Sequence, residues 1–510
     1  MVKYPAGTLL LDLKIEKGPG KTVSSQLQLT LRDMILSGRL EPGERLPSSR
    51  TLARELGVSR TTTIDVYERL TAEGLITSKV GAGSFVSTAI GQDRPEAVEG
   101  PNEEEQQEPR STPALSRALV KASALISERL PHRTRCFTTA LPAFDAFPMA
   151  LWSRLMAKHW RSGRDIVMGY GDALGYWPLR RAIAAHLRAN RGISCEAEQI
   201  FILCGAQEAF QLIGNLFIDP GDKVWFENPG AIGARNGLLA SGAELVPLPI
   251  DRDGMVIDEG LRLAPGFRLA FVTPMHQQPL GVTMSLKRRF ALLRAAERAG
   301  AFIVEDDYDG EFYYGKRPLP TLKSIDTKGC VIYVGTFSKT LFPAMRLGYL
   351  LAPAPLVEVF EKVVSSYLHG VASNPQVVLA DFIEQGHFAT HVRRMRKIYA
   401  ERHQELLDAA RQRLAGLLDV VPTSSGLHTI GHLPPGLCEA AVSDAAAERE
   451  ITAAPIGAFS LTPLDQQGLV LGFSGTPPRD IRAGVDVLGE VMEGLCRGDA
   501  AEARERAAVS

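Results

Sequence analysis

The stretch VIYVGTFSKTLFPAMRLGY, residues 331–349, decides how this chain is read. Its apolar start predicts a short buried strand, and Lys339 follows at once in a turn rich in serine and threonine. Arg346 comes seven residues later. A lysine at a strand end is placed to condense with an aldehyde, and the hydroxyls and guanidinium beside it suit a phosphate. An aldehyde and a phosphate on one small molecule describe pyridoxal 5′-phosphate (PLP), which proteins hold through a lysine Schiff base. A surface lysine in a βα loop would leave the same local pattern, so the surrounding sequence has to choose.

Upstream, strand-like runs alternate with helical ones: QIFILC then GAQEAFQLIGNLF, KVWFENP then AIGARNGLLASG, RLAFVTP then SLKRRFALLRAAERAG, and finally AFIVEDDYD. This alternation predicts an α/β domain with a mainly parallel central sheet, whose ligands gather at the carboxyl ends of the strands. Gly205, Ala206 and Gln207 open the helix after the first strand. A turn of small residues at a helix N-terminus offers bare N–H groups to a phosphate, although a plain tight turn reads the same way. The strand FIVEDD ends in three acids. A carboxylate there can keep a pyridine nitrogen protonated, and Asp306 is the candidate, with Tyr308 for the phenolic oxygen. Glu305, Asp306 and Asp307 could instead form a metal cluster, but no partnering histidine motif supports it, and no metal is expected.

Composition sets the frame. The chain has 510 residues, 45% hydrophobic and 23% charged, which predicts two or three ordinary globular domains. A formal net charge of −1 excludes wholesale attraction to nucleic acid or anionic membrane, so any DNA contact must come from a local patch. Six scattered cysteines without a CxxC pair suggest free thiols in a reducing compartment. With no signal-peptide pattern and no membrane-length apolar run, a cytoplasmic location is expected. Residues 89–112 carry seven acidic side chains against two basic ones and should form a flexible acidic linker. They separate a small module, 21–88, from a large one, 113–510. The segment ALSRALVKASALISERL after the linker has helical spacing and should dock on the large module.

In the small module, SSQLQLTLRDMILSGRL predicts an amphipathic helix closed by Gly38. Ser48 should cap a second helix that ends at Gly57, and Ser59 a third, with Ile64, Tyr67 and Leu70 inward and Arg60, Thr61 and Thr62 outward. Two helices joined by a short Gly-containing turn make a helix-turn-helix, whose second helix enters the major groove. There Arg60 can pair with guanine, while Thr61 and Thr62 touch phosphate or a thymine methyl. SKVGAGSFVS then reads as a two-stranded wing with Lys79 near the DNA backbone. Between Lys21 and Val86 nine basic residues face seven acidic ones, so one module should bind weakly and useful affinity implies a dimer on two half-sites. A helical domain for protein contacts is the alternative.

LPSSRTLARELGVSRTTTIDVYERLTAEGLI followed by GAGSFV resembles the GntR-type winged helix-turn-helix. The resemblance implies DNA contacts at Arg50, Arg60, Thr61, Thr62 and Gly81. The segments YGDALGYWPLRRAIAAHL, CGAQEAF, TPMHQQPLG, EDDYDGEF and GTFSKTLFPAMRLGY resemble fold-type I aminotransferases, above all the version fused to a GntR-type head, the MocR/GabR group of bacterial regulators. That resemblance implies Lys339 as the Schiff-base lysine, Asp306 at the pyridine nitrogen and Tyr308 at the phenolic oxygen. Gly205, Ala206, Gln207, Thr336 and Arg346 would hold the phosphate, and His276 and Gln277 would face the ring. Tyr170 is similar to the tyrosine that such folds lend to the neighbouring subunit's phosphate, which implies a homodimer.

Two departures stand out. In ENPGAIGAR, Ala231 replaces a tyrosine common near the cofactor ring, and in LVLGFSGTPPRDI small and apolar residues stand where transaminases carry a carboxylate-gripping arginine. Arg479 comes too late in sequence, and Arg235 is either a substitute or a solvent-facing helix arginine. The expected function is therefore a PLP-dependent transcriptional regulator that senses a small amine or amino acid through Lys339. Any transamination should be slow. The alternatives are a regulator sensing PLP itself and a working aminotransferase with an accessory DNA-binding head.

Overall fold

The computed structural model describes residues 22–79, 82–91, 120, 123, 126, 134–314 and 319–509. The chain divides into two compact units, Met1–Ala114 and Leu115–Ser510. The linker from residue 92 and most of the helix expected over 114–130 lie outside the described residues.

In the first unit, helices α1 (Val23–Ser37), α2 (Ser49–Leu56) and α3 (Arg60–Ala72) precede a hairpin of β1 (Ile76–Lys79) and β2 (Gly83–Val86). Each helix starts on a hydroxyl that accepts a backbone N–H: Thr22 from Ser25, Ser48 from Thr51, Ser59 from Thr62. Gly38 and Gly57 end α1 and α2 in the left-handed conformation, as their positions predict. The inward face of α3 differs from the expected one. Thr63, Val66, Tyr67 and Leu70 are buried at helical spacing, and Ile64 is exposed. Thr63 is tolerated inside because its hydroxyl bonds Ser49 O and Arg60 O, both at 2.9 Å, and this ties α3 to the start of α2. Tyr67 likewise donates to Pro47 O at 2.8 Å.

The second unit is built on an eight-stranded sheet in the order β3-β10-β9-β8-β7-β4-β5-β6. Its strands are β3 (Ile200–Leu203), β4 (Lys223–Asn228), β5 (Glu244–Asp251), β6 (Gly254–Met255), β7 (Leu269–Val272), β8 (Phe302–Asp307), β9 (Val331–Thr336) and β10 (Gly348–Leu351). The pairs β4·β5, β4·β7, β7·β8 and β8·β9 are parallel, while β10 runs antiparallel between β3 and β9. Alternate residues of the central strands face opposite sides. Trp225, Ala270, Ile303 and Val331 join one apolar cluster, and Phe226, Phe271, Val304 and Ile332 join another. With both faces covered, polar groups at strand tips have only the carboxyl edge to face. A smaller antiparallel sheet follows, ordered β11-β12-β14-β13: β11 (Asp419–Val420), β12 (His428–His432), β13 (Ala454–Pro455) and β14 (Gly468–Gly472).

Candidate cofactor site and nucleic-acid interface

Register brings the strand tips together. Asp306 lies opposite Val334, Asp307 opposite Gly335, and Gly348 is paired with both Thr336 and Leu203. The tips of β3, β8 and β9 therefore share one edge. Lys339 lies three residues beyond β9, partly buried, and its Nζ donates to Ala140 O at 3.2 Å. Asp306 is 6% exposed. Burial first, then Asp307 and Asp309, push its carboxyl well above the usual range, and the Lys339 charge opposes them. Its Oδ1 is buried without a hydrogen-bond partner among the described residues. A buried carboxylate oxygen in that state calls for a donor or a cation.

At the tip of β3, Gly205 caps helix α4 (Ala206–Phe217) with φ +89° and offers no side chain to the first-turn amides. A Cβ on Gly205 would meet nothing within 4 Å, so the turn is open on that side. Behind it the packing is close: a Cβ on Gly348 would lie 2.9 Å from Gly205 Cα. Thr336 is nearly buried, and Arg346 is exposed in the left-handed region at φ +52° after a single 3₁₀ turn. Gln207 is exposed, its Nε2 bonded to Gly233 O at 2.9 Å.

Tyr308 is buried, donating to His276 O at 3.0 Å, with its Oη also 3.0 Å from His276 Nδ1. Gln277 is turned elsewhere. Its Nε2 donates to Pro229 O and Gln278 O, each at 2.8 Å, and to Glu227 Oε2 at 3.3 Å, while its Oε1 accepts from Leu280 N. It pins the turn instead of presenting a free amide. Tyr170 is 98% exposed, so within one chain it touches no part of this edge.

The pleat turns Asp306 to one side of β8 and Glu305 and Asp307 to the other, where those two take different partners. Glu305 accepts the amides of Leu322 at 2.9 Å and Lys323 at 2.8 Å, and Asp307 bonds Arg191 and Tyr333. They form no common cluster. The pattern of residues gave little hint of three further groups. Glu227, at the end of β4, is fully buried and pushed up to about 7 by desolvation. Asp309 lies 2.9 Å from His276 Nδ1. His428 on β12 packs its ring 4.7 Å from that of His276, and burial pulls it down to about 3. Only Glu227 had a local signal, an acid ending an apolar strand just before Asn-Pro.

Arg235 corrects one alternative. It is not solvent-facing but 1% exposed, on helix α5 (Ile232–Ala240), and donates to Ser460 O at 3.1 Å and Ala458 O at 3.2 Å. Arg479 is exposed. Val470, within the stretch lacking an arginine, packs with Ile232, Ile430, Ile456 and Phe459. Ala231 begins α5 and packs with Phe226, Ala234 and Leu238.

On the first unit, Arg50, Arg60, Thr61 and Lys79 are exposed. Thr62 is half-buried, its hydroxyl 2.7 Å from Ser59 Oγ. Arg60 and Thr61 thus lie at the open N-terminus of α3, and Lys79 at the tip of the hairpin. Gly81 falls outside the described residues.

Residues 23–86 match the bacterial regulatory proteins of the gntR family, and residues 157–487 match aminotransferase class I and II. The chain is 38% identical over 477 residues to the probable rhizopine catabolism regulatory protein MocR of Rhizobium meliloti, across 93% of this chain and 95% of that one. The chain belongs to the MocR-type family of helix-turn-helix transcriptional regulators. This MocR-type chain is also 30% identical over 431 residues to the pyridoxine biosynthesis transcriptional regulator PdxR of Corynebacterium glutamicum, across 83% and 86% of the two chains. Its fold is similar to that of the α-aminoadipate aminotransferase LysN of Thermus thermophilus, solved with N-(5′-phosphopyridoxyl)-L-leucine. The TM-score is 0.68 at 25% identity, covering 75% of this chain and all of that one.

The aminotransferase fold of the family is PLP-dependent, and the residues present fit that group. The lysine, the open helix N-terminus and the buried carboxylate with an unpartnered oxygen share one sheet edge. No helix among the described residues is long and apolar enough to cross a membrane.

Proposed function

We propose that this MocR-type regulator senses a small primary amine at Lys339 and that the response changes how its DNA-binding heads engage an operator. The observation that carries the reading is the placement of Lys339, just beyond β9, near the tip of the adjacent strand β8, where Asp306 Oδ1 is buried without a partner among the described residues. When bound, PLP supplies an aldehyde carbon that exchanges amines and a ring that withdraws electrons. Lys339 would be the amine that holds that carbon and that a competing amine would replace. Asp306 holds a proton at the pyridine nitrogen, where the cationic ring would give its buried charge a partner. The first-turn amides at Gly205, Ala206 and Gln207 take the phosphate with Thr336 and Arg346, and Tyr308 takes the phenolic oxygen.

The arginines support an effector without an α-carboxylate. Arg235 is occupied by two loop carbonyls, Arg479 is exposed, and Val470 fills an apolar cluster. A buried carboxylate without a cation is strongly disfavoured, so amines should outcompete amino acids, and turnover to a keto acid should be slow. Met168 is 73% exposed and Tyr170 98%, side chains that a second copy of the chain would cover. We place Tyr170 at the partner's phosphate on that basis. On the heads, Arg60 and Thr61 read base edges while Arg50 and Lys79 hold the backbone.

The test is operator affinity measured with cofactor-free protein, PLP-loaded protein and PLP-loaded protein plus amines, alongside release of the carbonyl product, an aldehyde or ketone from an amine and a keto acid from an amino acid. A further change with an amine, at negligible turnover, supports the reading. Identical affinity in all three states with brisk turnover makes the chain an enzyme. If PLP alone produces the whole change, the cofactor itself is the signal.

A further inference from the structure

Asp309 and His276 form a buried pair beside Tyr308. Their side chains are 2% and 0% exposed, with His276 Nδ1 2.9 Å from Asp309 Oδ2. A carboxylate accepts but does not donate, so the nitrogen beside it carries the proton. The other nitrogen agrees. His276 Nε2 is buried without a partner among the described residues, and a buried N–H left alone is costlier than a bare lone pair on an acceptor. The ring is also closely packed. A Cβ on Gly426 would lie 2.1 Å from His276 Cε1, and one on Gly281 would lie 3.1 Å from Nε2, so the backbone of both glycines walls the ring in. Ligand-type atoms of His276, Asp309 and His428 lie within 4.8 Å of one another. Hydrogen bonds account for that closeness, since His428 Nε2 is already 3.0 Å from Pro279 O.

We infer that Asp309 acts as a positioning residue: it fixes His276 with its proton on Nδ1, which keeps Tyr308 a donor toward the phenolic oxygen of the cofactor. Tyr308 Oη is 3.0 Å from the same Nδ1. While Nδ1 carries a proton, the phenol can accept from it but cannot give its own proton to the ring. The Tyr308 O–H is then left for His276 O, where it points in this structure, or for a cofactor oxygen within its reach. Were Asp309 an amide, its neutral oxygen would hold the proton on Nδ1 less strongly than a carboxylate does, and the proton could sit on Nε2 instead. The bare Nδ1 would then accept the Tyr308 O–H, and the cofactor oxygen would lose its donor. The other ionisable groups whose charge reaches Tyr308 are Asp306, Glu227 and Asp307, all acidic.

The inference rests on the placement of Tyr308 at the phenolic oxygen. A donor to that oxygen favours its anion, so losing it raises the pH midpoint of the cofactor's visible absorbance. The full-length, PLP-loaded protein is titrated as wild type, Asp309→Asn, Tyr308→Phe and the double variant. Each single variant should raise the midpoint by about one unit, the size of one lost hydrogen bond to a charged acceptor. The double variant should match Tyr308→Phe alone, because Asp309 works through the tyrosine. An unmoved midpoint in Asp309→Asn, or additive shifts in the double variant, would overturn the coupling. If Tyr308→Phe itself leaves the midpoint in place, the placement of Tyr308 fails and the coupling falls with it. Should Asp309→Asn not fold, ¹⁵N-histidine spectra of the unaltered, cofactor-free chain decide, with His276→Gln supplying the assignment. A proton on Nδ1 of His276 is expected, and a proton on Nε2 refutes the proposal.

Discussion

Replacing Glu227 by glutamine should remove a pH-dependent weakness from the cofactor-free protein. Glu227 ends β4 fully buried, its Oε2 accepting from Thr273 N, Thr273 Oγ1 and Gln277 Nε2. Its Oε1 has no partner among the described residues. Those three bonds do not offset desolvation, and the carboxyl is pushed up to about 7. The unfolded chain, with an ordinary value of ~4.3, therefore releases this proton first as the pH rises. The favourable contribution of the protonated folded form is complete below that ordinary value and is lost as the pH climbs through about 7. Between pH 5 and pH 8 the lost linkage amounts to about 2–3 kcal/mol from this one group. Glutamine keeps an acceptor for Thr273 and has no proton to lose.

Denaturant unfolding of the C-terminal unit at pH 5 and pH 8, for wild type and Glu227→Gln, measures the difference directly. The variant should lose about 2–3 kcal/mol less than wild type across that range. Glu305, also buried and pushed up to about 7, is present in both proteins and cancels in the comparison. Equal losses in the two proteins would refute the assignment of Glu227 as a buried acid that titrates near neutrality.

Lys339→Ala should abolish both the yellow colour of the PLP-loaded protein and the adduct trapped by borohydride, and an unchanged adduct would place the cofactor on another lysine. Arg60→Ala should weaken operator binding by about 1–3 kcal/mol and relax selectivity at one base position, read by gel shift on single-base operator variants. Ser59→Ala removes the hydroxyl that accepts Thr62 N at 3.0 Å and should lower the stability of the DNA-binding unit by about 1 kcal/mol, followed by thermal melting. Tyr170→Ala should weaken PLP retention in dialysis, and mixing it with Lys339→Ala should restore one intact site per heterodimer if each subunit completes the other's site.

Sequence pattern succeeded where local neighbours carry the physics. Hydroxyl caps and left-handed glycines set the ends of α1 and α2, and short apolar runs between helices announced a mainly parallel sheet. The strand-end positions of Asp306 and Lys339 followed from those runs. Periodicity misplaced Ile64 because a threonine one residue earlier is as easily buried once its hydroxyl has two carbonyls to bond. Arg235 was equally ambiguous, since nothing on its own helix shows that Ala458 and Ser460, more than two hundred residues later, lie over it.

By itself, then, the sequence determined the two-part architecture, the MocR-type resemblance and the residue types at the strand tips, because each depends on neighbours within a turn or two. Which side chains face one another was decided only in three dimensions. Glu305, Asp306 and Asp307 are consecutive, yet the pleat sets Asp306 apart with an unpartnered oxygen, and tertiary neighbours give Glu305 helix amides and Asp307 an arginine on the helix Trp177–Arg191. His276 and Asp309 meet because they follow the adjacent strands β7 and β8, and His428 reaches them from β12 of the smaller sheet. Burial and long-range contact set the charge of such groups, and no local pattern of residues encodes either.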